Sequence, residues 1–162
     1  MNVVVSGLTK VMKKKQILSD VHLHFEGVYG LIGPNGAGKT TLMKILAGLE
    51  SFQKGQVSLN NKVIEKSAYI RRYDLIGYLS QDFMVFPELT IYEVLEHIAH
   101  LHGAVPLQIP ASIKTVLEEV NLSHHAQKKM RELSGGMRRR VGIAQLLLRK
   151  PRILLFDEPQ LP

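Results

Sequence analysis

The 162-residue sequence contains no cysteine and no tryptophan, and aromatic residues make up only 6% of it. Without cysteine there can be no disulfide framework, no thiolate-ligated zinc and no thiol nucleophile, and the chain fits a reducing compartment. Acidic residues are also scarce, 14 against 21 Lys plus Arg, for a formal charge of +7. Such an excess admits nucleic acid or an anionic membrane surface as partner without choosing between them. Long apolar runs are missing too. None approaches the ~18–20 residues that span a bilayer, and residues 1–20 lack the apolar core of a signal peptide, so the chain is expected to be soluble and intracellular. What remains, 45% hydrophobic and 22% charged, is the composition of one ordinary folded domain.

Periodicity gives an alternation of strands and helices. Residues 2–8 are β-branched and apolar, and Val21, Leu23 and Phe25 alternate with His22, His24 and Glu26, so both stretches read as half-buried strands with Lys13, Lys14 and Lys15 in the connection. Val28 to Ile32 is a short apolar run ending at Gly33, which predicts a fully buried parallel strand. A helix with Leu42, Ile45, Leu46 and Leu49 on one face follows. Asn60-Asn61 between two short runs predicts a hairpin. Leu75 to Leu79 reads as a core strand with Gln81 just beyond it. Thr90 with Glu93 forms a capping box opening a helix to about His102, and Pro106 and Pro110 then break the pattern. Further helices are predicted from about Ser112 to Val120 and from Ser134 to Arg149, and a last buried strand over Arg152 to Phe156. This order is that of an α/β fold with a mainly parallel core sheet, preceded by an N-terminal antiparallel annex.

Gly33-Pro34-Asn35-Gly36-Ala37-Gly38-Lys39-Thr40 matches the phosphate-loop pattern G-x-x-x-x-G-K-[ST]. At average glycine usage that pattern arises about once in two hundred chains of this length, and here it also follows a strand and opens a helix. Backbone N–H groups and the helix N-terminus then converge on a phosphate chain. These eight residues and the following Thr41 are the candidate nucleotide-binding set. Lys39 brings a charge to the β/γ-phosphates, and the Thr40 hydroxyl can ligate Mg²⁺. Ile153 to Phe156 delivers Asp157 and Glu158 at a strand end, the edge where open α/β sheets bind ligands. Asp157 suits Mg²⁺ through its water shell, and Glu158 a general base for water. Leu133-Ser134-Gly135-Gly136 before a long helix offers a second set of amides to phosphate oxygens.

Phosphate loop, Gln81, Leu-Ser-Gly-Gly and Asp-Glu strand stand in the motif order of the ATP-binding cassette (ABC) family. Residues 2 to about 159 resemble the nucleotide-binding domain of an ABC transporter, most like the antibiotic and multidrug exporter branch, where Ser-Gly-Gly is often followed by Met, as at Met137. The resemblance implies a P-loop NTPase fold over 1–162 with a helical signature subdomain at about 82–149, and ATP and Mg²⁺ as ligands. It implies that Lys39 and Glu158 are catalytic, and that Gln81 senses Mg²⁺ and the attacking water. It also implies head-to-tail pairing with a second copy or a paralogous subunit, each Ser134-Gly135-Gly136 covering the partner's ATP. Hydrolysis would then move a transmembrane permease subunit, with the chain peripheral on the cytoplasmic face of the membrane.

Two features depart from that pattern. Where the family stacks adenine on an aromatic residue, alignment puts Met12, which packs on a purine without a ring. After Pro159, Gln160-Leu161-Pro162 stands where the family continues into a further strand with a γ-phosphate-sensing His, and all seven histidines lie before Asp157. The final core strand is therefore expected to be missing, through a frameshift, a split gene or a shortened sequence. His97 and His100, at i and i+3, are expected to be solvated or packed rather than ligands.

Between Lys128 and Arg152 nine basic residues face the single acid Glu132. No aromatic platform interrupts them, so a solvated face is expected and no specific nucleic acid partner. An ABC ATPase linked to nucleic acid, and a nucleotide-binding fragment without turnover, are the alternatives to a transporter subunit. The apolar Phe83-Met84-Val85-Phe86 run is a candidate for the permease-docking surface.

Overall fold

A computed structural model describes residues 1–64, 75–80 and 86–157. The chain divides into two compact units, one comprising Met1–Tyr78 with Arg152–Asp157, the other running from Leu79 to Pro151.

In the first unit, β1 (Asn2–Met12) and β2 (Lys15–Glu26) form a long antiparallel hairpin, and β1 also pairs antiparallel with β3 (Lys54–Leu59). β4 (Lys62–Val63) completes a sheet of order β2-β1-β3-β4. Asn60 and Asn61 both adopt positive φ, 46° and 62°, which fits the predicted two-residue turn between β3 and β4. Val3 and Val5 point into the core, and a register shift between Val5 and Leu8 keeps Leu8 and Lys10 on that same buried side. The single core-facing charge of this strand, Lys10, meets Glu50 at 2.6 Å. That hydrogen bond, more than any other cause, holds the Glu50 carboxyl below its ordinary range.

Helix α1 (Lys39–Leu46) buries Leu42, Ile45 and Leu46 against Val5, Leu8, Leu18 and Val57. It ends two turns in, with Gly48 at φ 79°, so Leu49 falls beyond the helix and is exposed rather than on its buried face. β5 (Ile76–Leu79) and β6 (Ile153–Phe156) make a two-stranded parallel sheet, entered by the Arg152 and Ile153 amides donating to the Leu75 carbonyl at 2.9 and 3.0 Å.

The predicted buried strand over Val28–Ile32 does not form. Val28 and Ile32 are fully exposed and Tyr29 largely so, while Leu31 packs on the core. A buried parallel strand needs hydrogen-bonded neighbours, and among the described residues none pairs with this segment. β6 likewise is only half-buried, with Leu154 exposed, because β5 is its one ladder partner among the described residues.

The second unit is helical. Helices α2 (Ile91–Leu101), α3 (Ile109–Glu119) and α4 (Gly135–Leu147) enclose a core of Ile91, Leu95, Ile113, Leu117, Leu122, Met130 and Val141. The Thr90/Glu93 capping box is present: the Glu93 amide donates to the Thr90 hydroxyl, and the Thr90 amide donates to the Glu93 carboxylate at 2.7 Å. That amide, and then the Thr90 hydroxyl, lower the Glu93 carboxyl from its usual value. Pro110 sits in the first turn of α3, where a missing N–H costs nothing, so this helix opens at Ile109 rather than at Ser112. The segment before α4 is laced to the start of α2 through the Ile91 amide on the Lys128 carbonyl and the Met130 amide on the Leu89 carbonyl. Among the described residues no helix is long and apolar enough to cross a membrane.

Candidate functional site

The phosphate loop runs over residues 33–40 without a regular element until α1 begins at Lys39. Gly38 is its N-cap in the left-handed region, φ 88°, ψ 8°. A Cβ there would lie 2.8 Å from Leu18 Cδ2 and 3.1 Å from the Ile17 carbonyl oxygen, so β2 itself demands glycine at this position. The Ala37 amide closes a turn on the Pro34 carbonyl at 3.2 Å, and the Lys39 ammonium donates to the carbonyls of Gly33 and Pro34 at 2.6 and 2.9 Å. The lysine thus lies folded along the rim of the loop, with its charge where phosphate oxygens would sit against the α1 N-terminus.

At the end of β6, Asp157 is buried, 4% exposed, and receives two hydroxyl hydrogen bonds. Thr40 Oγ1 donates to Oδ1 at 2.9 Å and Tyr78 Oη donates to Oδ2 at 2.9 Å. Burial, and secondarily the bond to Asp157, push the Tyr78 phenol well above its ordinary range, so it remains a donor. Thr40 spends its hydrogen on Asp157 and keeps its oxygen lone pairs. A hydroxyl and a carboxylate joined in this way are a hard-oxygen set of the size Mg²⁺ takes from protein, its other positions filled by water and phosphate. Thr40 and Asp157 therefore fit that ion. Among the described residues no cluster of three or more His, Asp or Glu could hold a metal by itself, and His97 and His100 are both exposed.

Of the residues singled out in the sequence, the loop from Gly33 to Thr41 and Asp157 come together in the first unit. Met12 is exposed at the end of β1, opposite Lys15. Tyr29 packs its ring edge-to-face on Phe25, with centroids 5.4 Å apart. Ser134, Gly135 and Gly136 belong to the second unit, where the Ser134 hydroxyl caps α4 by accepting the Met137 amide at 3.3 Å. All three are exposed, and a Cβ at either glycine would meet nothing within 4 Å. Gln81, Glu158 and most of the Phe83–Phe86 run lie outside the described residues. Tyr78 is the site residue that sequence reading missed; its register two residues after Ile76 on β5 was the available signal.

The basic stretch is partly consumed by structure. Arg131 bonds Glu88 at 2.9 Å, Lys129 approaches the same carboxylate at 3.7 Å, and Arg140 donates to the Val120 and Asn121 carbonyls at the C-terminal end of α3.

A glycine loop opening a helix, with a lysine on its rim and its threonine bonded to a carboxylate at a strand end, defines a P-loop NTPase domain. The family model described as "ABC transporter" matches residues 18–161, and the chain belongs to that family. It is 33% identical over 158 residues to the spermidine/putrescine import ATP-binding protein PotA of Salmonella typhimurium, an alignment covering 96% of this chain and 41% of that protein. It is 36% identical to the lipopolysaccharide export system ATP-binding protein LptB of Haemophilus influenzae, covering 94% of this chain and 65% of LptB. The chain thus spans less than half of the first relative and about two thirds of the second. A solved nucleotide-free ATP-binding cassette from an ABC transporter superposes with a TM-score of 0.84 at 28% identity, covering 99% of this chain and 70% of that one. In fold alone, CbiO1 of Clostridium perfringens is similar with a TM-score of 0.87.

Proposed function

We propose that this chain is the ATP-binding and ATP-hydrolysing part of a membrane transporter. It pairs head to tail with a second copy or a paralogous subunit around ATP and Mg²⁺, and it acts on a transmembrane permease from the cytoplasmic face of the membrane. The observation that carries this reading is the 2.9 Å bond from Thr40 to Asp157, which joins the phosphate loop to the strand-end carboxylate. Loop amides from Gly36 to Thr40 bind the phosphates, and Lys39 exchanges its carbonyl partners for their oxygens. Thr40 and Asp157 would hold Mg²⁺, which would supply positive charge against the negative charge that develops on the phosphates. Gln81 and Glu158 align and deprotonate the attacking water, and Ser134 to Gly136 cap the nucleotide of the opposite subunit.

Two names among the relatives bear on direction, since one is an import and the other an export subunit. Export is our reading from Ser134-Gly135-Gly136-Met137. The test is ATP binding and turnover by the purified chain with Lys39→Ala and Glu158→Gln as controls. Lys39→Ala is expected to weaken binding about 100-fold or more, as loss of a charge-assisted phosphate contact implies. Glu158→Gln is expected to bind and not turn over. Binding that ignores Lys39 would remove the site assignment, and wild-type binding without turnover would reduce the function to nucleotide binding.

A further inference from the structure

We infer that Tyr78 is a positioning residue for the cation site, acting through Asp157. The inference rests on the nucleotide reading above and goes beyond it by adding a residue from β5 that no phosphate-loop or strand-end motif includes. An aspartate carboxylate turns easily about its terminal torsion, which has broad wells. Thr40 restrains that torsion through Oδ1 alone. Tyr78 adds a restraint on the opposite oxygen, donating to Oδ2 at 2.9 Å. Oδ1 is thereby directed at Thr40, 2.9 Å away at the mouth of the loop, and Oδ2 is held within the sheet.

The placement follows from the two-stranded sheet. β5 and β6 are neighbours, so the phenol near the end of β5 lies beside the carboxylate just past the end of β6. Tyr78 is half-buried and packs with the core of the first unit, so its ring is fixed while its hydroxyl reaches the site. Asp157 is buried and Thr40 is exposed. The relay Tyr78 to Asp157 to Thr40 therefore runs from the sheet interior to the surface where a hydrated cation and a phosphate chain arrive. Partners of this kind around metal ligands typically change metal affinity by about 10–100-fold when removed.

The test is binding of a fluorescent ATP analogue to the full chain, titrated with Mg²⁺ and, separately, with Mg²⁺ chelated by EDTA. Tyr78→Phe removes only the hydroxyl. It is expected to raise the Mg²⁺ concentration needed for half-maximal stimulation of binding about tenfold, with affinity in EDTA unchanged. In Asp157→Ala the added Tyr78→Phe change is expected to shift the Mg²⁺ midpoint no further, because the tyrosine acts through that carboxylate. An unchanged midpoint in Tyr78→Phe, or an equal loss of affinity with and without Mg²⁺, overturns the assignment while leaving the nucleotide reading intact. A wild-type chain whose binding ignores Mg²⁺ overturns the cation site and this inference with it, whereas a wild-type chain that does not bind the analogue at all overturns the nucleotide reading.

Discussion

The two units solve the burial problem differently. In the helical unit, α2, α3 and α4 each bury one face against the others, and Leu95, Ile113, Leu122, Met130 and Val141 are wholly enclosed. In the first unit the antiparallel sheet is equally well closed, with Val5, Leu8 and Val57 covered by α1. Its parallel part is not. Val28, Ile32 and Leu154 are apolar and exposed. A helix satisfies its backbone within itself, so an apolar stripe needs only a surface to lie on. A parallel strand needs neighbours for both its hydrogen bonds and its faces. The same density of apolar residues thus yields a finished core in one unit and, among the described residues, exposed apolar positions beside the candidate site in the other.

The largest expected effect lies in the finished core. Leu95→Ala leaves a cavity among α2, α3 and α4 and is expected to cost about 2–5 kcal/mol. Hydrogen exchange read residue by residue checks it: amides of α2 to α4 should lose protection first. Equal loss in β1 to β3 would show that the units unfold together and would break the comparison. Gly38→Ala strikes the other side. A positive φ for alanine, with its Cβ pressed to 2.8 Å from Leu18, is expected to cost about 2–3 kcal/mol and to lower protection in β1, β2 and α1. Nucleotide binding should fall with it, since the same glycine shapes the loop.

A smaller effect concerns the ion pair within the closed sheet. Glu50→Gln leaves the Lys10 ammonium buried with a weaker acceptor, an expected loss of about 1–2 kcal/mol at neutral pH, less than for a fully enclosed pair because Glu50 is partly exposed. Because folding lowers the Glu50 carboxyl below its ordinary value, the stabilisation is fully present above the ordinary glutamate range and is lost as pH falls through the folded value. Denaturant melts of the two proteins should therefore converge in acid. A constant difference across pH would show that shape, and not charge, sets the effect.

Local signals were the ones that sequence carried well. The phosphate loop, the Asn60-Asn61 turn and the Ser134 cap are each written in a few adjacent residues, and each appears where its residues predict. Pairing over distance was legible only in part. Val28–Ile32 carries the composition of a buried strand, but composition does not supply a partner. The tyrosine on Asp157 and the glutamate on Lys10 join residues 79 and 40 positions apart, beyond any periodicity or short motif. The basic stretch from Lys128 onward was read against the one acid inside it, whereas folding brings Glu88 to Arg131 and Lys129.

The smallest expected effect tests whether such a local signal also carries its own energy. Thr90 accepts the Glu93 amide at 3.2 Å, and its own amide and hydroxyl both donate to the Glu93 carboxylate. Thr90→Ala removes the hydroxyl and is expected to destabilise by about 1 kcal/mol, in the range of a lost N-cap. Thr90 also bridges Lys129 in the segment ahead of α4, and the neighbouring Ile91 amide reaches the Lys128 carbonyl. Those backbone contacts survive the substitution. If the loss of protection stays within the first turn of α2, the cap is a purely local device and the helical unit is held by its core. If it spreads to residues 128–134, the cap also fixes the approach to Ser134, and the signature motif draws its order from α2.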